Sequence, residues 1–376
     1  MTLLAEAAGA QELMHSILQR IATGPEMSKS ISEADARSGM RAVLDAQIDP
    51  VQAGIFLIAL RMKRETDEET LGVLQSLLEV TQTVTASVDE LLVLSDPYDG
   101  CKRMLPASPF LPALLAACGV PAITHGVEIL GPKFGVTARQ VLRAAGQPVG
   151  LSVSEAAERV ADPGIGWAYV DQSSYAPQLH ALTQLRNLIV KRSVLNTAEI
   201  AIAPIRGHRK THLITGYVHK NYPRIYALLA RAAGFDSALI VKGLEGGVIP
   251  SLQKPARLFY YREETELKSI EVDPTGLEFD QTEKTAPTPT VVPRASDPLA
   301  ADPNTLARAA ADRGMETLDG NPGPMRDALA FAAALCLWHI GRHASVSDAV
   351  KEVHAVLTSG AALGRLARAN SHQPVR

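Results

Sequence analysis

The chain has 376 residues, 46% apolar and 20% charged, with a formal net charge of −3. That balance fits an ordinary soluble globular protein with room for two or three domains, and it excludes a uniformly basic polyanion binder. Any affinity for anions must come from local clustering of cations.

The N-terminus carries Glu6 and Glu12 and lacks the basic and apolar regions of a secretory signal. The longest apolar run, about 328–340, is shorter than the ~20 residues a membrane span needs. A cytoplasmic location without a membrane partner is the expectation. Cys101, Cys118 and Cys336 are few and far apart, which suits buried thiols in a reducing compartment and gives no metal pattern.

Taken in order, residues 12–84 read as helices. Leu13, Ile17, Leu18 and Ile21 recur at helical spacing, and Gly24-Pro25 ends that run. Ser32 to Asp35 predicts a capped start, Asp49-Pro50 a start with Pro at the first position, and Thr66 to Glu69 a capping box. From Glu90 short β-branched or apolar runs alternate with helical segments. Strands are expected at 91–94, 122–125, 166–170, 212–218 and 237–241, with helices at 110–118, 137–145 and 222–233. Such alternation predicts a mainly parallel sheet whose ligands bind beyond the carboxyl ends of its strands. Residues 257–279 read as exposed hairpin-like strands, 283–303 as a proline-rich surface loop, and 326–342 and 347–357 as helices.

Charge is distributed unevenly. Arg186 to Arg224 holds eight Lys or Arg, three His and one acid, Glu199. The block reads either as a solvated basic face or as a surface for an anionic partner. Within it Arg206, Arg209 and Lys210 surround Gly207, a turn from which side chains can fan out, while Lys220 and Arg224 flank Asn221-Tyr222-Pro223. Tyr217 and Tyr222 are candidates for base stacking or for ordinary core. His208/His212 and His339/His343 lie four apart, without a third ligand in a known register. No serine elbow or activated cysteine stands out.

Over nearly its whole length the chain resembles the anthranilate phosphoribosyltransferase family, the glycosyltransferase family 3 fold. The resemblance is carried by DPVQAGIFLIALRMKRET, AACGVPAITHG, LRNLIVKRSVLN, HLITGYVHKNYPRIYALLARAAGFDSALIVKG and GNPGPMRDALAFAAALCLWHIGRHASVSDAV. It implies an α/β protein of the nucleoside phosphorylase and phosphoribosyltransferase class. A small helical domain, 1–84 joined by helices from about 176–198, sits on a large α/β domain, 85–175 and 199–376, with a mainly parallel central sheet. It also implies a homodimer formed through the helical domain.

The loops depart from the family's pattern. Where the family has GTGGDG, whose glycines bring N–H groups to a pyrophosphate, this chain has Ser95-Asp96-Pro97-Tyr98-Asp99-Gly100. Pro97 has no N–H to donate. Where the family has an adjacent Asp-Glu pair for Mg²⁺, this chain has Val248-Ile249, with Glu245 the nearest acid. Of the family's KHGN, only His125-Gly126 remains. These departures imply a degraded pyrophosphate loop and Mg²⁺ site, as in the divergent YbiB-type branch, whose members bind nucleic acid with little sequence preference.

The expected phosphate-binding set is Lys102 and Arg103 in the altered loop, His125, Lys133, Arg186, Lys191, Arg192, Arg206, Arg209, Lys210, Lys220, Arg224 and Lys242. Arg186 and Arg192 match arginines of the family's VRKELGIRT segment. Solvated loop charge is the competing account for Lys102, Arg103 and Lys133. The expected partners are single-stranded DNA or RNA, with duplex as a further option, and a second copy of the chain. No catalytic residue, metal or cofactor is expected on this reading. The alternative is a transferase or phosphorylase with an altered substrate, for which Mg²⁺ would be the cofactor. A protein-interaction module using the dimer surface is a third option.

Overall fold

The computed structural model describes residues 2–371 apart from 25, 264–265, 278, 280–281, 284, 286 and 288–301. Most of the expected proline-rich loop therefore lies outside the described residues.

Four helices open the chain: α1 (Thr2–Ile21), α2 (Glu33–Leu44), α3 (Pro50–Lys63) and α4 (Asp67–Glu79). Their starts are written locally. The Ser32 hydroxyl accepts the Asp35 N–H, Asp49 caps α3 with Pro50 in its first turn, and Thr66 and Glu69 exchange the two bonds of a capping box. Glu69 is fully buried, yet its carboxylate is satisfied by the N–H groups of Ile31 and Thr66 at 2.9 and 2.8 Å and by Lys63 Nζ at 2.6 Å. Helices α2 and α4 touch through Gly72, where a Cβ would lie 2.2 Å from the Glu33 carbonyl oxygen.

Among the described residues nine strands follow: β1 (Val84–Thr85), β2 (Glu90–Ser95), β3 (Ala122–Gly126), β4 (Trp167–Asp171), β5 (Ile205–Arg206), β6 (Lys210–Gly216), β7 (Ser237–Val241), β8 (Ala256–Arg262) and β9 (Lys268–Val272). β1 and β5 make a small parallel pair. The other seven form one sheet in the order β4-β3-β2-β6-β7-β8-β9, parallel through β7 and antiparallel at β8 and β9. In β2, Leu91 and Val93 enter the core shared with the helical bundle, while Leu92 and Leu94 enter the core under the C-terminal helices. A parallel strand covered on both faces needs such an uninterrupted apolar run.

The C-terminal layer consists of Pro303–Leu318, Pro324–His339, Val346–Thr358 and Ala361–Ser371. The first and last of these, together with helix Val153–Ala161, have no counterpart among the expected elements. One polar tie between this layer and the sheet is Ser237, whose hydroxyl lies 2.7 Å from His212 Nδ1 and 2.8 Å from His339 Nε2. The two histidines that meet thus come from different expected pairs. After β4, helix Thr183–Ile189 returns to pack on α3, and Leu195–Ala198 packs on α4. Among the described residues, no helix is long and apolar enough to cross a membrane.

Gly72→Ala tests the α2–α4 contact. Alanine gains ~1 kcal/mol of helix propensity, but its methyl meets backbone, and overpacking costs about 1–3 kcal/mol. The overlap should win, lowering the melting temperature by a few degrees in a calorimetric scan; an unchanged or higher value would refute the close approach.

Candidate functional site

β2 and β6 are neighbours, but the chain leaves them in opposite directions, through β3 and β4 on one side and β7 on the other. The carboxyl ends of such a pair leave a crevice between diverging loops. Here it is a cavity of about 130 Å³, lined among others by Tyr98, Asp99, Arg192, Asn196, Tyr222 and Arg61. That is smaller than the ~300–1,000 Å³ of usual small-molecule sites. Its walls are fixed by glycine: a Cβ at Gly216 or Gly243 would fall 1.9 or 1.6 Å from the Gly247 carbonyl oxygen.

The loop after β2 fills the crevice with side chains. Asp96 accepts the Val248 N–H at 2.8 Å, and burial raises its pKa. Tyr98 is buried, its hydroxyl 2.5 Å from His125 Nδ1 and 2.7 Å from the Tyr175 hydroxyl. Burial pushes the His125 imidazole down to about 3, so the ring is neutral at ordinary pH. Asp99 holds Arg192 by a two-pronged bond, Nε to Oδ2 at 3.0 Å and Nη2 to Oδ1 at 2.9 Å. From the loop after β7, the Glu245 carboxylate accepts the N–H groups of Lys102 and Arg103 at 3.0 and 2.7 Å, and Lys133 Nζ donates to it at 3.3 Å.

The structure divides the expected phosphate-binding residues into four groups. His125 and Arg186 are buried. His125 lies under Tyr98, and Arg186 is closed in a bidentate pair with Glu199 at 2.8 and 2.6 Å. Desolvated side chains already paired in this way are out of a surface polyanion's reach.

Arg206, Arg209 and Lys210 sit at the opposite edge of the sheet, at the amino end of β6, roughly 20 Å from its carboxyl end at ~3.3 Å per residue. Arg206 is spent locally, donating to the Ala233 and Gly234 carbonyls that end helix Tyr222–Ala232 and lying over Phe235. Arg209 and Lys210 face Asp89 and Glu263. One groove from Lys102 to Lys242 that includes these three residues is therefore not what the fold builds.

The remaining residues cluster around the crevice. Lys133, Arg192 and Arg224 are paired with Glu245, Asp99 and Asp67. Lys242 donates to the Val218 carbonyl and lies 5.2 Å from the centre of the Tyr217 ring. Lys102, Arg103, Lys191 and Lys220 are exposed, and no ion pair ties their side chains among the described residues.

Arg61 and Glu245 escaped the sequence reading as site residues. Arg61 lies in the LRMKRET text that carries the resemblance, and only tertiary packing brings it to the crevice beside Tyr222. Arg139 and Arg143, which share a helix face, both reach Glu128.

Comparison with known proteins gives the fold its relatives. The helical bundle domain of the Glycosyl transferase family matches residues 15–81, and the α/β domain of that family matches 107–363. An uncharacterized protein of Aquifex aeolicus is 30% identical over 251 residues, covering 67% of this chain and 74% of its own length. The anthranilate phosphoribosyltransferase of Rhodopseudomonas palustris strain BisA53 is 25% identical over 353 residues, 94% of this chain and 96% of that one. Among solved structures, anthranilate phosphoribosyltransferase of Thermus thermophilus superposes with a TM-score of 0.71 at 18% identity, over 96% of this chain and 99% of that one. The Saccharomyces cerevisiae enzyme in complex with PRPP and Mg gives 0.75 at 16% identity, over 95% and 97%. With both domains matched along most of its length, the chain belongs to this glycosyl transferase family and has the fold of the anthranilate phosphoribosyltransferases.

Proposed function

We propose that this chain is a nucleic-acid-binding homodimer that holds single strands by their phosphates at the rim of the switch-point crevice, in place of phosphoribosyl transfer inside it. The observation that carries the reading is the contrast between rim and interior. Among the described residues Lys102, Arg103, Lys191 and Lys220 stand exposed without ion pairs on loops around the opening, while Tyr98 fills the space beneath. Cations that gain no internal partner are the ones free to neutralise phosphates. Tyr222, half-buried at the mouth between His219 and Tyr226, is placed to stack on a base.

The crevice acids do not fit Mg²⁺. Asp96 is used by Val248, Asp99 by Arg192, and Glu245 by two N–H groups and Lys133. Among the described residues no group of three or more metal-ligating side chains comes together, so no step is assigned to the metal.

The homodimer reading rests on an apolar stripe. Val51, Ile55 and Met62 share one face of α3 and are 70, 39 and 75% exposed; Leu188 and Val190, at the end of the helix packed on α3, are 74 and 61% exposed. Large apolar side chains at helical spacing on a surface mark an interface, and a second copy supplies a matching stripe across a twofold axis.

A second reading, a transferase with an altered substrate, draws on family membership and on relatives aligned over 94% of the chain. Calorimetric titration with phosphoribosyl pyrophosphate and Mg²⁺ separates the two: micromolar, Mg²⁺-dependent binding would establish the second, and millimolar or absent binding would leave the first.

For the first reading, binding to single-stranded oligonucleotides should weaken with salt. The log–log slope should be about −3 for four phosphate contacts at ~0.7 each. Charge reversal of Lys102 and Arg103 together should cost at least ~10-fold at low salt without lowering the melting temperature. Arg186→Met should do the opposite, costing ~3–5 kcal/mol of stability by stranding buried Glu199 and leaving oligonucleotide affinity intact in the folded fraction. A flat salt response would defeat the reading. Separately, Val51→Glu with Leu188→Glu should convert a dimer to a monomer in analytical ultracentrifugation; a protein that sediments as a monomer before substitution would end the dimer proposal.

A further inference from the structure

At the amino edge of the sheet, away from the crevice, two histidines share one hydroxyl. Ser237 opens β7. Its Oγ lies 2.7 Å from Nδ1 of His212 on β6 and 2.8 Å from Nε2 of His339, the last residue of helix Pro324–His339. All three side chains are buried. The far nitrogens, His212 Nε2 and His339 Nδ1, are buried too, and neither has a hydrogen-bond partner among the described residues. From β8 the Tyr260 ring stands nearly perpendicular to the His339 ring, 6.2 Å between centres.

This arrangement suits neutral rings. A neutral imidazole has one bare nitrogen and one N–H, and a hydroxyl can accept from one ring while it donates to the other. An imidazolium carries N–H on both nitrogens. With both rings protonated, both far nitrogens become buried donors without an acceptor, and two positive charges face one oxygen. Either fault is costly in a desolvated site. The neighbouring charges do not offset it. Burial lowers the pKa of both rings. Glu90 on β2, Asp236 ahead of β7 and Glu263 after β8 favour a proton on His212, while Lys210 opposes it. His212 and Arg262 oppose a proton on His339. The carbonyl end of a helix favours a charged histidine, but Arg262 already donates to the Trp338 carbonyl there at 2.8 Å.

We infer that His212, Ser237 and His339 form an acid-sensitive latch between the sheet and the C-terminal helices. Neutral rings hold the end of helix Pro324–His339 against β6 and β7, and protonation of the pair lets that end and the helices after it part from the sheet. The sign follows from linkage. Rings whose pKa is lowered in the fold bind protons more readily once unfolded. Their contribution is therefore complete above about pH 6.5 and is lost as the pH falls below it. Each such ring raises the unfolding constant by up to ~10-fold per pH unit in that window. The latch lies at the edge opposite the crevice and does not rest on the oligonucleotide reading.

The test uses urea unfolding of the full chain at about pH 7.5, 6.5 and 5.5. A double variant, His212→Asn with His339→Gln, places an amide near each facing ring nitrogen and cannot titrate. Other buried groups, His125 among them, act in both proteins and cancel in the comparison. Between about pH 6.5 and 5.5 the unfolding constant of the parent should rise at least ~10-fold more than that of the variant. Equal rises overturn the inference. Should the variant fail to fold, hydrogen exchange on the parent decides. Over the same acidification, amides of the C-terminal helices, corrected for intrinsic exchange, should lose at least ~10-fold more protection than those of α2–α4. A loss shared equally by the two regions overturns the latch.

Discussion

The pairing of β2 with β6 is the constraint from which the site follows. These strands run side by side from Glu90↔Lys210 to Ser95↔Thr215, though more than a hundred residues separate them in sequence. Because the chain departs from them in opposite directions, no helix crosses between their carboxyl ends and the loops there must part. Everything placed at the crevice is placed by that divergence: the Asp96–Arg103 loop from one strand, the Tyr217–Asn221 turn from the other, and the Lys242–Gly247 loop from β7 beside it. Gly216 lets the end of β6 meet the loop after β7 at backbone contact, and Gly243 lets that loop fold tightly on itself, so the crevice is narrow by construction.

Charge follows a different logic. A cation's role depends on its partner, and the partner is usually remote in sequence. Arg192 meets Asp99, 93 residues away, and Arg224 meets Asp67, 157 residues away. Arg186 finds Glu199 only 13 residues on, but the pair is buried. A buried pair of this kind is costly to desolvate and costly to break, so it fixes a geometry more than it adds stability. The basic run from Arg186 to Arg224 is thus several structures. One part clasps the interior, one part caps a helix at the far edge of the sheet, and only a few of its charges reach the crevice rim.

That difference explains what could be read from residues alone. Strands 90–95, 122–126 and 237–241 and the starts of α2, α3 and α4 are legible because alternation, capping boxes and Pro-initiated turns act over a few residues. Helix Val153–Ala161 carries the same kind of signal, the Ser152/Glu155 capping box ahead of Val153, Ala156 and Val160, but it is short and lies between Gly-rich turns where periodicity counts few positions. The site was less legible. His125 looks like a ligand-facing residue by its place at the carboxyl end of a strand, yet the space above it is taken by Tyr98. The substitution of tyrosine for glycine is visible in the sequence; the direction in which that tyrosine points is not.

Glu245 makes the same point more sharply. In the linear text it is a lone acid three residues ahead of Val248-Ile249, where the family has its metal-binding pair. In three dimensions it faces two backbone N–H groups and a lysine rather than a cation site. Donors converging on a carboxylate and carboxylates converging on a metal demand opposite electrostatics, and one loop cannot present both at once. The contacts that hold Glu245 therefore tie the loop after β7 to the loop after β2, while Tyr98 lines the crevice between them. The exposed cations Lys102, Arg103, Lys191 and Lys220, without ion pairs among the described residues, thus stand on the loops that part around this crevice, not on its floor.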